Sequence, residues 1–165
     1  MDFLKIINED QCEFEKIANT LFNKFAIQTN SNLYRLIEIE FYWNSMNHVD
    51  SCTYPRKHVN PKTGDWFFHY SGVDIALKNE KTGGYGGILI RSILDVNTLE
   101  KFKGPQVCVM KLFSETNAFS ESIKTMIVKH QFDTRQVINK PRVGLGNNAI
   151  KDGADKSAYN FSIIP

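Results

Sequence analysis

Residues 36–42, with the sequence LIEIEFY, alternate apolar and polar side chains and constrain the fold more than any other stretch. Strict alternation predicts a half-buried β-strand, because successive strand side chains point to opposite faces. The isoleucines and Phe41 would face a core, while Glu38, Glu40 and Tyr42 would lie on the other face. Two carboxylates about 7 Å apart beside an aromatic ring form a candidate site. The alternative is a solvated outer face with a satisfied pair of glutamates.

Length and composition indicate one globular domain spanning residues 1–165. Hydrophobic residues make up 42% of the chain, and a net charge of +2 does not by itself indicate strong non-specific binding to nucleic acid. No apolar run approaches the roughly 20 residues of a membrane span, and the first residues lack the pattern of a signal peptide. We therefore expect a cytoplasmic protein with no membrane partner.

The cysteines and histidines do not form a metal-binding pattern. The three cysteines are widely spaced and include no CxxC pair, so neither a zinc site nor a disulfide framework is predicted. The four histidines show no HxxxH or HxH spacing. The GxSxG motif of serine hydrolases and the GxxxxGKS/T motif of phosphate-binding loops are absent. We expect no metal and no cofactor.

The remaining elements follow from periodicity and turn residues. Residues 10–25 predict an amphipathic helix that Asp10 caps, with Glu13 as its return partner. Residues 120–130 also predict a helix, residues 83–87 a glycine-rich loop, and the segment after Gly104 is ambiguous. Strands are predicted at 25–27, 66–70, 73–77, 88–93, 142–145 and 160–164. The sum is an α+β domain around a curved, mostly antiparallel sheet with flanking helices.

Arg91 is the second candidate functional residue, because it lies inside the apolar run GILIRSIL. A buried arginine needs an anionic partner, and Glu38 or Glu40 is a natural one. The pair is either a structural ion pair or a glutamate base and an arginine that together position a water molecule. Aromatic side chains such as Tyr42 and His69 would then stack on a planar ligand.

These residues occur in an order that resembles the alkyladenine DNA glycosylase family, also called 3-methyladenine DNA glycosylases. Residues 38–42, EIEFY, resemble that family's E-T-E-A-Y, and residues 87–91, GILIR, resemble its V-L-L-R-A strand. Further similar segments follow in the same order along the chain: His48, the aromatic hairpin 64–72, Asp74-Ile75, Gly104-Pro105, RVGL at 142–145 and YNFSI at 159–163. The chain looks like a divergent, short member, with the sheet that this family shares with the C-terminal domain of formyltransferases.

The resemblance implies a monofunctional base-excision enzyme that flips a damaged purine out of duplex DNA and hydrolyses its N-glycosidic bond. It implies Glu40 as the general base and Arg91 as the residue that helps hold the water. Residues implied to contact the flipped base are Glu38, Tyr42, His48, His69 and Asp74. Residues implied to contact DNA are Tyr70, as the substitute for an intercalating tyrosine, and Arg56, Lys57 and Arg142. The implied state is a monomer, associated with the nucleoid when on DNA.

Asp74 is a departure from the family, which has an asparagine at this place. An ionised aspartate only accepts hydrogen bonds, so its pocket would favour a base that offers a donor or is a cation, and disfavour hypoxanthine. Alternatively, Asp74 pairs with a neighbouring lysine or arginine and never meets a ligand. A second function stays open as well: a glycosylase-fold protein without base-excision activity that binds a nucleotide, a modified base or a protein partner.

Overall fold

The computed structural model describes residues 2–58, 61–115, 119 and 124–165, and it has the predicted α+β fold around a curved antiparallel sheet. Its described strands are β1 (Phe25–Gln28), β2 (Leu33–Asn44), β3 (Trp66–His69), β4 (Gly72–Asn79), β5 (Gly84–Asp95), β6 (Lys101–Lys103), β7 (Met126–Lys129), β8 (Ile138–Lys140) and β9 (Asn160–Ser162). Its described helices are α1 (Gln11–Lys24), α2 (Pro105–Leu112) and α3 (Asn148–Asp152), with 3-10 helices at Asp2–Leu4 and Ser51–His58.

Strands β2 and β5 form the centre of the sheet, and both are 12 residues long. The strand order is β3-β4-β5-β2-β1-β7, with β6 on β5, β9 on β2 and β8 on β9, and every pairing is antiparallel. The β2–β5 register shifts between Leu36 and Ile39. Such a bulge bends a strand, and on its other edge β2 changes partner near this point, from β1 to β9. The two predicted glutamates therefore lie where three strands meet.

Helix α1 covers the core face of the sheet with the predicted apolar stripe. The Phe14 ring stacks on that of Phe41 with centroids 4.9 Å apart, which fixes the helix over the centre of β2. Asp10 caps the helix as predicted, because its carboxylate accepts from the Glu13 amide at 2.7 Å. Glu13 differs from the prediction: its carboxylate accepts from the amides of residues 7–9, not from that of Asp10.

The glycine-rich segment is a strand rather than the predicted loop, since β5 begins at Gly84. Its glycines are required by close approach of neighbouring side chains and backbone. A Cβ at Gly84 would collide with the indole of Trp43, and a Cβ at Gly87 would collide with the carboxylate of Asp74. Glycine inside a strand commonly marks such contacts, so these glycines leave room for the side chains of Trp43 and Asp74.

Two further sequence predictions are corrected by the structure. Residues 126–129 form strand β7 instead of a helix, because they complete the ladder along the free edge of β1; residues 120–123 lie outside the described residues. Residues 142–145 are not a strand, and Ile138–Lys140 pairs with β9 instead. The ambiguous segment after Gly104 is helix α2, with proline in its first turn. Among the described residues, no helix is long and apolar enough to cross a membrane.

Candidate functional site

Glu40 and Arg91 contact each other directly, as the sequence predicted for two residues 51 positions apart. The Arg91 Nη1 donates to Glu40 Oε2 at 3.1 Å, and its Nε lies 3.6 Å from Glu38 Oε1. The contact arises because β2 and β5 pair antiparallel, with Glu40 opposite Leu89 and Glu38 opposite Ser92. The three charged side chains therefore share one face of the sheet.

The Glu40 carboxylate is fully buried, with 0% of the residue exposed. Its Oε1 accepts from the Val143 amide and from Asn160 Nδ2, both at 3.0 Å. Its Oε2 accepts from the Tyr42 hydroxyl at 2.9 Å as well as from Arg91. A carboxylate that accepts from four donors is held in a single orientation, and an acceptor-only ionised group fits that set of donors.

Glu38 lies at the edge of the same cluster, and 23% of its side chain is exposed. Asn160 Nδ2 bridges the two glutamates, since it also donates to Glu38 Oε1 at 2.9 Å, and the Ser92 hydroxyl donates to Glu38 Oε2 at 2.9 Å. Burial raises the pKa of Glu38, but the hydrogen bonds from Asn160 and Ser92 and the charge of Arg91 outweigh it and hold the pKa below its usual value.

Two polar atoms of this cluster are buried and have no hydrogen-bond partner among the described residues: the donor Arg91 Nε and the acceptor Asn160 Oδ1. Buried polar groups are normally paired with protein or with ordered water. About 20% of the Arg91 side chain is exposed, so the cluster is open to solvent on the arginine side. Water can therefore reach the exposed part of the Arg91 side chain, whereas its Nε is buried.

Tyr42 joins the carboxylate cluster to two arginines. The Arg56 Cζ lies 3.9 Å from the centroid of its ring and the Arg142 Cζ lies 4.5 Å from it. Burial and the Glu40 carboxylate raise the pKa of the Tyr42 hydroxyl well above its usual value, so it stays a hydrogen-bond donor to Glu40. Its ring is thus covered by cations and its hydroxyl is fixed on the carboxylate.

Asp74 is also fully buried and is bound by two side chains. The Arg56 Nε donates to Asp74 Oδ2 at 2.5 Å, and His69 Nε2 lies 3.0 Å from Asp74 Oδ1. The Ser71 amide donates to His69 Nδ1 at 3.3 Å, so the hydrogen of a neutral His69 sits on Nε2 and points to Asp74. Of the two alternatives for Asp74, the structure has the arginine pair.

A cavity of about 170 Å³ opens beside these groups, and Tyr42 lies between it and Glu40. Its lining residues are Tyr42, Ser51, Cys52, Tyr54, Arg56, His69, Tyr70, Ser71, Leu89, Gly144, Leu145 and Gly146. The volume is below the roughly 300–1,000 Å³ of pockets for drug-sized ligands. It suits one planar ring system rather than a whole nucleotide.

The remaining predicted site residues divide between the rim and the interior. Tyr70 is 78% exposed at the rim of the cavity, and Lys57 is exposed. Arg56 and Arg142 are buried, at 5% and 6% exposure, and pair with Asp74 and Asp50, so neither presents a free surface cation for a DNA phosphate. These two arginines were expected to contact the DNA backbone, but they are buried within the site instead.

His48 lies apart from the residues that line the cavity. Its Nδ1 is 3.0 Å from the Trp43 carbonyl oxygen, and its Nε2 is 2.7 Å from the Tyr159 hydroxyl. Its ring also stacks on that of Tyr159. Both ring nitrogens are thus occupied by the scaffold, and the structure does not bring His48 to the site as the resemblance implied.

Sequence reasoning missed Asn160, Asp50 and the Val143 amide. Asn160 had a usable signal, because it is an amide within the closing strand, directly before the apolar Phe161. Asp50 lies in an irregular segment without periodicity, and only the structure shows its 2.6 Å ion pair with Arg142. Among the described residues, no group of three or more metal-ligating side chains is present.

The sequence matches no protein-family model. It is similar to an uncharacterized protein of Acanthamoeba polyphaga mimivirus, with 35% identity over 134 residues, which is 66% of this chain and 59% of the viral protein. The chain thus spans about three fifths of the length of that relative.

Proposed function

We propose that the protein is a monofunctional DNA glycosylase that hydrolyses the N-glycosidic bond of a flipped alkylated or otherwise modified purine in duplex DNA. The observation that carries the proposal is the direct hydrogen bond between Glu40 and Arg91. Tyr42, which donates to the same Glu40 oxygen, lines the neighbouring cavity together with His69. We further propose that the chain is a divergent relative of the alkyladenine DNA glycosylases, with a cytoplasmic site of action.

In this proposal the water reaches the site from the side of Arg91, whose side chain is 20% exposed. It forms a bond from its oxygen to the sugar C1′ and gives its proton to Glu40 Oε2, while the C1′–N bond breaks and its electron pair leaves with the base. The Val143 amide and Asn160 keep Oε1 fixed, so the carboxylate does not rotate during the step.

The cavity supplies a further requirement of base excision, a recess for the flipped base. Tyr42, His69 and the rim residue Tyr70 line it, and Tyr70, at 78% exposed, is the most exposed of the three rings. Stacking on such rings compensates part of the cost of unstacking a base, which is smallest for a damaged or mispaired base.

The test is release of free base from duplexes that carry alkylated, deaminated or unmodified purines. Wild-type protein should release at least one modified base, and Glu40→Gln should lower the rate by about 10²–10⁴-fold, the range for loss of a general base. Glu80→Gln is the matched control, because it removes an exposed carboxylate that does not line the cavity. Absence of release from every duplex, or equal rates for Glu40→Gln and wild type, would contradict the proposal.

A second function has one observation in its favour. Glu40 is 0% exposed and all its hydrogen bonds are made within the protein, which suits a rigid binding site as well as a base. On this alternative the protein binds a nucleotide, a modified base or a protein partner without excision. Tight binding of a modified duplex by wild-type protein, with no base released over hours, would favour it.

A further inference from the structure

Arg56 is the arginine among the residues that line the cavity. Its guanidinium lies against the ring of Tyr42 at 3.9 Å. Of its five N–H donors, Nε–H goes to Asp74 and Nη1 has a long contact of 3.5 Å with the Cys52 carbonyl. Among the described residues, no acceptor takes a hydrogen bond from Nη2. The guanidinium of Arg56 thus keeps N–H groups that can donate hydrogen bonds to a ligand.

Asp74, by contrast, does not line the cavity within the described part of the chain. Its two oxygens are bound by Arg56 and His69, and 0% of the residue is exposed. A ligand in the cavity therefore meets the guanidinium before the carboxylate. Because charge interactions fall with distance and are strong in a site shielded from water, the nearer charge decides the sign.

We propose that Arg56 is the specificity-determining residue of this cavity, selecting a purine that presents ring carbonyl oxygens and rejecting a cationic N-alkylated purine. The inference rests on the proposed function, and it reverses the preference expected from Asp74 alone. A guanidinium donates to carbonyl oxygens and its planar face stacks on rings. A cationic base would instead have to approach a ring whose face already carries a cation.

The same residue has a role as the bond breaks. When the C1′–N bond of an uncharged oxopurine is cleaved, the electron pair leaves with the base, and negative charge develops on its ring nitrogens and oxygens. A fixed donor at the cavity wall stabilises that charge more in the transition state than in the ground state. A cationic alkylpurine leaves as a neutral base and gains nothing comparable from Arg56.

The experiment compares duplexes that are identical except for one nucleoside: deoxyxanthosine, deoxyinosine or 7-methyldeoxyguanosine. Single-turnover base release and equilibrium binding are both measured, for wild type and for the double variant Arg56→Gln/Asp74→Asn. The double variant removes both charges and keeps a hydrogen-bonded pair, so it avoids leaving Asp74 buried and unpaired. The double variant leaves the net charge unchanged, and Lys81→Gln is the control for loss of an exposed cation that does not line the cavity.

Wild type should bind and cleave the oxopurine duplexes in preference to the methylated one, and the double variant should lower that preference by about 100-fold. Lys81→Gln should retain it. A wild type that prefers 7-methyldeoxyguanosine, or a double variant that keeps the oxopurine preference, would overturn the role of Arg56 while leaving a glycosylase in place. Should no duplex release a base, the proposed function fails separately, and the binding preference alone decides whether Arg56 selects the ligand.

Discussion

Two arginine–carboxylate pairs lie side by side in this protein, and they differ in how completely they are closed. Glu40 and Asp74 are both 0% exposed. Arg91, the partner of Glu40, keeps 20% of its side chain exposed, and we call these two residues the open pair. Arg56, the partner of Asp74, keeps 4% exposed, and we call these two residues the closed pair. The Arg91–Glu40 contact measures 3.1 Å and the Arg56–Asp74 contact 2.5 Å.

The difference assigns separate tasks to two pairs of the same chemistry. Water can reach the partly exposed side chain of Arg91, so in the proposed function Glu40 and Arg91 suit the side of the site where water reacts. A closed pair holds its charges in fixed positions, so Arg56 and Asp74 suit the wall of the cavity. In a low-dielectric site, fixed charges act on a ligand without reorganisation.

The largest expected effect comes from removing each arginine in turn. Arg56→Ala leaves the buried Asp74 with only His69, and we expect the free energy of unfolding to fall by about 3–5 kcal/mol. Arg91→Ala leaves Glu40 with three neutral donors, and we expect a loss of about 1.5–3 kcal/mol, as for one hydrogen bond to a charged group. Urea unfolding measures both. Equal losses would remove the distinction between the closed and the open pair.

A glycine substitution next to the closed pair should have a moderate effect. Gly87→Ala places a methyl group against the Asp74 carboxylate, so we expect a loss of about 1–3 kcal/mol from overpacking. Gly146→Ala is the matched control, because a Cβ there meets no atom within 4 Å. If the two variants unfold at the same urea concentration, β4 and β5 have more room around Asp74 than the structure indicates.

The smallest effect concerns acid stability at the open pair. The pKa of Glu38 lies below its usual value when the protein is folded, so ionised Glu38 stabilises the fold above its unfolded pKa. That contribution is lost as pH falls through the lowered, folded-state pKa. Glu38→Gln should therefore lose less stability than wild type between neutral pH and the acid range below about pH 4.3. Parallel stability curves for the two proteins would show that Glu38 has no such role.

Much of the fold could be predicted from the sequence, because three of its features are local signals. These are the alternation in β2, the apolar stripe of α1 and the hairpin of β3 and β4. Sequence patterns failed where a tertiary contact decided the outcome. Residues 126–129 become a strand because β1 offers a free edge, and Gly84 and Gly87 lie in a strand because β5 pairs with β2 and β4 there.

The site was predictable in part for the same reason. An arginine inside an apolar strand requires an anionic partner, so the sequence predicted that Arg91 contacts Glu38 or Glu40. No comparable rule places Arg56 on Asp74 or on Tyr42, because Arg56 sits in a 3-10 helix within a long irregular segment. The sequence therefore predicted both members of the open pair, whereas for the closed pair it offered only some lysine or arginine as a partner of Asp74 and did not name Arg56.

The most direct test of the account is a double-mutant cycle on single-turnover base release, with Glu40→Gln, Arg91→Gln and the two together. If Glu40 and Arg91 hold and activate one water as a unit, each single variant should lose at least about 100-fold. The double variant should then be no slower than the slower single variant, since residues that act as a unit are non-additive. Losses that multiply, or a wild type that releases no base from any modified duplex, would contradict the account.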